Sequence, residues 1–259
     1  MKNLKIIAEV GVNHNGKISL AKKLIECAKF AGADYVKFQC YSTDELVTPK
    51  AKKAKYQKKF DKSQSQKQML KKYELSEKEF VYLKNYCKKI GIKFLASVFD
   101  LKSLKLVKKL GLKLIKLPSG ELNNFELVEQ IAKREHEVIL STGMASYTEI
   151  GNTIKYLRKR LKKLTVLHCI SSYPTKPNQV QINNMLEIKN KFNVKVGFSD
   201  HTDGFEAAIS ATILGATVIE KHLTLNRKMR GPDHSSSLNP VEFIKFIKSI
   251  RNTEKLFIK

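Results

Sequence analysis

Eight short apolar runs, each followed by an amphipathic stretch, recur along the 259 residues of this chain. The runs lie near 4–10, 34–39, 93–98, 113–117, 137–141, 164–169, 194–199 and 216–222, and each reads as a strand. Between them, Ala21, Leu24, Ile25 and Ala28 give the first helix one apolar face, with Gly32 as its stop. Ser76 with Glu79, and Ser146 with Glu149, have the spacing of capping boxes, and Leu75 with Phe80 that of a hydrophobic staple. Asp100 and Asn124 stand where N-caps are needed. The last helix starts after Pro240 and carries Phe243, Ile244, Ile247 and Ile250. Eight strand-then-helix units in about 250 residues is the arithmetic of an α/β fold of the TIM (β/α)8 barrel type. An open doubly wound sheet would need fewer strands and a Gly-rich first turn, and the segment from Gly11 to Gly16 lacks the GxGxxG spacing. Without a linker or composition break, residues 1–259 read as one domain. Residues 40–74 form a long connection, either a lid or a region with local helix.

Hydrophobic residues are 42% of the chain, which excludes a disordered protein, and no apolar run is long enough to span a bilayer. The N-terminal apolar run stops at Glu9, too soon for a secretory signal. The expectation is a cytoplasmic protein that does not use a membrane. Cys27, Cys40, Cys87 and Cys169 contain no CxxC and read as reduced thiols, with Cys40 beside candidate site residues. The net charge of +25 admits nucleic-acid binding, attraction of a small anion, or simple compositional bias toward lysine. Ten lysines and one aspartate fall in residues 50–72, yet Tyr56 and Phe60 are too few for a stacking platform, so no nucleic-acid partner is expected.

In such a barrel, active sites lie at the C-terminal ends of the strands. Glu9 ends the first strand, and Lys37 and Gln39 end the second on one face. Lys116 ends the fourth, with Ser119, Gly120 and Glu121 just beyond. Ser141, His168, Ser199 and His201, and Glu220 and His222 end the fifth, sixth, seventh and eighth. Five of the six histidines, all but His136, fall at strand exits or in the loops beyond. A lysine inside a barrel needs an anion beside it. Lys37 and Lys116 therefore suggest a phosphate or carboxylate ligand, while an ion pair with Glu9, Glu121 or Glu220 and a Schiff-base role stay open. His201 and His222, at successive strand exits, could share one divalent metal ion or be unrelated loop residues.

Ordered motifs run from residue 6 to about 240. They include Ile7-Ala8-Glu9-Val10-Gly11-Val12-Asn13-His14-Asn15-Gly16, Lys37-Phe38-Gln39, Lys116-Leu117-Pro118-Ser119-Gly120-Glu121 and Ser141-Thr142-Gly143-Met144. Ser172-Tyr173-Pro174-Thr175, Phe198-Ser199-Asp200-His201-Thr202, Glu220-Lys221-His222 and Gly231-Pro232-Asp233-His234 follow in the same order. With these motifs the chain resembles the N-acetylneuraminate (sialic acid) synthases and their nonulosonate relatives. The resemblance implies a metal-dependent condensation of phosphoenolpyruvate with an N-acylated amino sugar, N-acetylmannosamine or a 2,4-diacetamido-trideoxyhexose. It implies manganese or magnesium on His201 and His222. It implies phosphoenolpyruvate on Lys37, Lys116, Ser141, Ser171 and Ser199, and Glu9, Gln39, Glu121, Tyr173 and Asp233 around the sugar and reacting centre. Glu9, Gln39, Lys116 and Glu121 are the expected catalytic set, with Glu9 or Glu121 handling the water.

Three departures accompany the match, one of them Arg230 before Gly231-Pro232-Asp233, where proline is common. Ser171 stands where some members carry asparagine. Members of that family usually continue into a small antifreeze-like lid domain exchanged within a homodimer, whereas this chain stops at Lys259 after the eighth helix. The expectation is therefore a barrel without that domain and a homodimer; either the chain is a fragment, or another polypeptide supplies the lid, or the barrel works without it. A non-catalytic phosphoenolpyruvate-binding partner subunit is the alternative.

Overall fold

Every strand alternates its side chains between two faces, and in this chain both faces are buried. A computed structural model describes residues 4–53, 61–133, 137–161 and 163–257. Strands β1 (Lys5–Gly11), β2 (Tyr35–Cys40), β3 (Lys93–Val98), β4 (Leu114–Leu117), β5 (Glu137–Ser141), β6 (Leu164–Cys169), β7 (Lys195–Asp200) and β8 (Val218–His222) pair in parallel in chain order. β8 pairs back onto β1, so the barrel is closed, as the eight-unit repeat requires. Helix α1 (Ile18–Ala31) follows β1; α2 (Thr43–Leu46), α3 (Gln66–Tyr73) and α4 (Glu77–Ile90) follow β2. One helix follows each later strand: α5 (Leu101–Lys109), α6 (Phe125–Ala132), α7 (Tyr147–Arg158), α8 (Asn184–Phe192), α9 (Glu206–Ile213) and α10 (Pro240–Lys255).

Outward strand residues such as Val36, Phe38, Ala96, Leu140, Val166 and Phe198 pack with Leu24, Leu83, Val107, Ile154 and Phe243 of the helices in the main core. Inside the barrel, Ile7, Leu95, Ile139, Leu167 and Val218 form a separate apolar layer, with Tyr35 and Leu114 against it. Gly197 completes that layer on β7, where a Cβ would overlap the Val218 carbonyl oxygen and the Leu167 side chain. Two residues farther along each of these strands stand Glu9, Lys37, Ser97, Lys116, Ser141, Cys169, Ser199 and Glu220. The apolar plug contributes roughly 1.5–3 kcal/mol for each fully buried aliphatic side chain, which offsets part of the cost of the charges stacked above it.

The local signals place the helices. Ser76 with Glu79 and Ser146 with Glu149 form reciprocal capping boxes, and Asp100 and Asn124 cap α5 and α6. Gly32 ends α1 in the left-handed conformation, and Asn239 caps α10 ahead of Pro240. The long connection after β2 holds local helix, α2 and α3. Tyr41, Met69 and Tyr73 from this connection pack with Val12 of the β1 loop. Its basic stretch is partly neutralised: Asp61 takes both Lys53 and Lys72 at 3.6 Å, and Lys67 pairs with Asp44 at 2.7 Å. Tyr56, Phe60 and His136 lie outside the described residues. Among the described residues, no helix is long and apolar enough to cross a membrane.

Candidate active site

The polar layer forms the floor of a cavity of about 240 Å³ at the C-terminal mouth, and all eight strands contribute to it. Phe99, Pro118, Ser119, Gly120 and Tyr173 form its walls. Larger depressions of about 470, 470, 330 and 320 Å³ lie elsewhere, the first two at the opposite mouth and beside residues 174–182, and none of them gathers buried lysines with histidines.

On the floor, Lys37 Nζ lies 2.9 Å from Glu9 Oε2 and 3.5 Å from Glu220 Oε2, and donates to Ser97 Oγ at 2.8 Å. Lys116 Nζ reaches both carboxylate oxygens of Glu220, and Ser199 Oγ donates to Glu220 Oε1 at 3.1 Å. Both lysines are thus ion-paired, the alternative that the sequence left open. Burial raises the Glu220 carboxyl, but Lys116 and then Lys37 outweigh it and hold the group well below the usual carboxylate range. Glu9 is different: burial pushes it up to about 7, only partly countered by Lys37. Burial lowers Lys37, but Glu220 and Glu9 outweigh it and raise the ammonium. Lys116 has one carboxylate beside it, and burial lowers it. Lys116 is therefore the cation with more to gain from an added anion.

His201 and His222 sit above this layer with ring centroids 5.7 Å apart, and the Tyr173 ring packs 4.3 Å from His201. His201 Nδ1 donates to the Ile170 carbonyl at 2.7 Å, which leaves Nε2 unprotonated 3.3 Å from Ser199 Oγ, whose proton is on the Glu220 side. Burial lowers His201 to about 4, and burial together with His201 lowers His222 well below its ordinary value. Both imidazoles are neutral near pH 7, the form that ligates metals. His222 Nδ1 is buried and has no hydrogen-bond partner among the described residues. A divalent ion fits this pair of donors. Among the described residues, no cluster of three or more His, Cys, Asp or Glu able to hold a metal accompanies them, so most coordination positions would fall to substrate oxygen and water. Between the two histidines in sequence, the outward-facing Lys221 pairs with Asp200 at 3.0 Å and donates to the Thr202 and Gly204 carbonyls. That buried pair ties the loop after His201 to the strand that ends in His222.

Beside the floor, β1 is irregular between Glu9 and Gly11, and Gly11 has φ +54. A Cβ on Gly11 would lie 3.2 Å from Asp233 Oδ2, 3.3 Å from Glu9 Oε1 and 3.4 Å from Gln39 Nε2. Three expected acceptor-side residues therefore converge where a glycine leaves room. Burial pushes Asp233 up to about 6, against a hydrogen bond from Val12 N–H. On the other side, Ser171 Oγ occupies the space that a Cβ on Gly143 would need, with Cys169 Sγ at 3.1 Å and Ser119 Oγ at 3.2 Å from that point.

The structure brings Glu9, Lys37, Gln39, Lys116, Ser141, Tyr173, Ser199, His201 and His222 into one cavity, with Ser171 and Asp233 at its margins. Glu121 is not brought in. It is half-buried on a short 3-10 turn, and its carboxylate accepts from Asn124 Nδ2 at 2.9 Å. Cys40 turns outward toward the Ser103 carbonyl, and His168 bonds the Val180 carbonyl behind β6. Sequence reasoning did not place Ser97, Phe99 or Cys169 in the site, and set Glu220 at the end of the eighth strand without giving it a catalytic or binding role. Counting two residues beyond each inward apolar position locates Ser97, Cys169 and Glu220.

A family model described as the NeuB family matches residues 24–258. The N,N'-diacetyllegionaminic acid synthase of Campylobacter jejuni subsp. jejuni serotype O:2 is 46% identical over 259 residues, covering 98% of this chain and 78% of that protein. The chain belongs to the NeuB family. The N,N'-diacetyllegionaminic acid synthase of Legionella pneumophila is 40% identical, covering 96% of this NeuB-family chain and 72% of the relative. A solved N-acetylneuraminic acid (sialic acid) synthetase from Leptospira borgpetersenii, in complex with citrate, superposes with a TM-score of 0.88 at 32% identity, covering 100% of this chain and 86% of that one. The NeuB-family barrel described above is an enzyme of the synthase class, as these relatives are.

Proposed function

We propose that this enzyme joins phosphoenolpyruvate to an N-acylated hexosamine, giving a nonulosonic acid and inorganic phosphate. One observation supports the reading above all: Lys37, Lys116, His201 and His222 line a single buried cavity at the mouth of the barrel. In the balanced reaction, the methylene carbon of the enol ester bonds to the aldehyde carbon of the open-chain sugar. Water adds at the phosphate-bearing carbon, and the bond from that carbon to the phosphate oxygen breaks. One proton of the water ends on the former aldehyde oxygen and the other on phosphate.

Lys37 and Lys116 neutralise the phosphate and carboxylate of the enol ester, with Ser141, Ser171 and Ser199 as hydroxyl donors. Glu9, held near 7, populates both protonation states at ambient pH and can give a proton to the sugar oxygen and regain one from water. Its place inside the cavity favours it over Glu121, whose carboxylate is held by Asn124. Gln39, Tyr173 and Asp233 bind and orient the acceptor. A divalent cation, manganese or magnesium, held by His201 and His222 would supply Lewis-acid polarisation of the acceptor carbonyl. The two relatives named as N,N'-diacetyllegionaminic acid synthases favour a 2,4-diacetamido-trideoxyhexose over N-acetylmannosamine as acceptor. The proposal includes a homodimer in the cytoplasm, with an antifreeze-like lid over the acceptor.

The test is phosphate release from phosphoenolpyruvate and manganese with each of the two sugars, with the products weighed by mass spectrometry. Release should require the sugar and should be lost in His201→Ala and His222→Ala, both of which keep the wild-type circular dichroism spectrum. If no N-acylated hexosamine supports release, the synthase reading fails. Phosphoenolpyruvate binding without turnover would support the non-catalytic subunit.

A further inference from the structure

We propose that Asn15, His234 and Thr224 are positioning residues for Asp233, clamping the loop after β8 onto the loop after β1 and so setting the acceptor end of the site. The inference rests on the synthase reading for its kinetic consequence, but the clamp itself is a matter of geometry. His234 is fully buried next to Asp233 in sequence and faces away from the cavity, with both ring nitrogens engaged. Nδ1 lies 2.6 Å from Thr224 Oγ1, and Nε2 lies 3.1 Å from Asn15 Oδ1. Asn15 Nδ2 donates to the Arg230 carbonyl at 3.0 Å, which orients the amide and leaves Oδ1 as a pure acceptor. Nε2 therefore carries the proton, and Nδ1 accepts from the Thr224 hydroxyl. The polarity of the whole chain follows from its end at Arg230.

A second strap runs parallel to the first. Asn13 Nδ2 donates to Ser237 Oγ and to the Leu223 carbonyl, both at 2.9 Å, and Ser237 Oγ donates to the Asp233 carbonyl at 2.6 Å. Two glycines make room for this network. Gly231, at φ +150, sits where a Cβ would come within 3.0 Å of the His234 ring and the Asn15 oxygen, and Gly11 admits the Asp233 carboxylate beside Glu9 and Gln39. The chain is thus tied down at Arg230, at the Asp233 carbonyl and at His234, and the Val12 N–H bonds the Asp233 carboxylate itself.

Asn15 has φ +50, so a bulky replacement would strain the backbone and confuse the result. Asn15→Gly removes the side chain without that strain, Thr224→Val removes the hydroxyl at constant shape, and Asn15→Asp keeps the acceptor for Nε2–H but loses the donor to the Arg230 carbonyl. Hydrogen exchange at Ser236, Ser237 and Leu238, whose amides bond Asp233, His234 and His222, should accelerate about 10-fold or more in the first two variants, with β4 to β6 unchanged. With manganese, phosphoenolpyruvate and the diacetamido sugar, the acceptor KM should rise by about 10-fold in Asn15→Gly and Thr224→Val while the phosphoenolpyruvate KM and kcat move less than threefold, and Asn15→Asp should fall between Asn15→Gly and wild type. Wild-type exchange at these three amides in both variants would overturn the clamp, even for an enzyme with no measurable turnover. An equal rise in both KM values would overturn the assignment to the acceptor end. A wild type that exchanges as expected but never releases phosphate would instead count against the synthase reading alone.

Discussion

Lys116 Nζ bridges both carboxylate oxygens of Glu220, at 3.0 and 2.9 Å, across 104 positions of sequence. Lys37 stands 3.5 Å from the same carboxylate, so one acid holds two lysines together at the centre of the barrel. The arrangement keeps two cations side by side where an anionic substrate would meet them, at a cost in desolvation that the apolar layer beneath must offset.

Glu220→Gln should leave both lysines short of an anion. Removing one partner of a buried pair costs about 3–5 kcal/mol, so the apparent melting temperature should drop sharply. Glu220→Gln with Lys116→Met removes both partners and should recover much of the loss. Thermal unfolding of the two single variants and the double variant measures this coupling, and a double variant no more stable than Glu220→Gln would contradict it.

Glu9 should take up a proton when phosphoenolpyruvate binds. Its carboxyl is raised to about 7 in the free enzyme, and a nearby phosphate raises it further, so at pH 7 the bound state holds more protons. Calorimetry in buffers of different ionisation enthalpy should show uptake of a fraction of a proton, up to about one. Glu9→Gln should abolish the buffer dependence while binding persists.

Gly143→Ala should weaken anion binding more than it weakens the fold. The added methyl displaces Ser171 Oγ and crowds Ser119 Oγ, both ends of flexible side chains, and Gly143 has no positive φ to strain. An approximately 10-fold rise in the phosphoenolpyruvate KM, about 1.4 kcal/mol, with a melting temperature within a few degrees of wild type, is expected. A collapse in stability with unchanged KM would show that the hydroxyl cluster is structural.

Acid should destabilise the fold through its buried imidazoles. Burial, and then the neighbouring His234, lower His14 from 6.5 to about 4, and burial lowers His234 equally. The unfolded chain binds more protons between those values, so the stability from these two groups is full above pH 6.5 and is lost as the pH falls to 4. Asp233, raised from 3.8 to about 6, acts in the opposite sense: its contribution is present below 3.8 and is lost as the pH rises through 6. A melting-temperature series from pH 7.5 to 4 should fall with acid, less steeply in His14→Gln and more steeply in Asp233→Asn.

Local pattern was enough for the scaffold. The eight-unit repeat, the capping pairs three residues apart and the stop at Gly32 depend on neighbours along the chain, and the structure forms them as the spacing implies. Period two within each strand also separated Lys37 and Gln39 from Phe38, and it would have turned Cys40 outward had it been carried one residue farther. The pairings inside the barrel were beyond such reasoning. Glu121 reads as a site residue from its place beyond β4, but that place does not show that its carboxylate accepts from Asn124, three positions on. Asp233 entered the expected site through the resemblance alone, and it is barrel closure that brings β8 beside β1 and the gap at Gly11 that admits it next to Glu9.

By itself the sequence determined which side chains face inward, because strand alternation and helix capping are set over a few residues. Only the closed barrel decided which of those inward charges share a partner, because Coulomb energy in a buried site depends on separations that ring closure creates between residues a hundred or more positions apart.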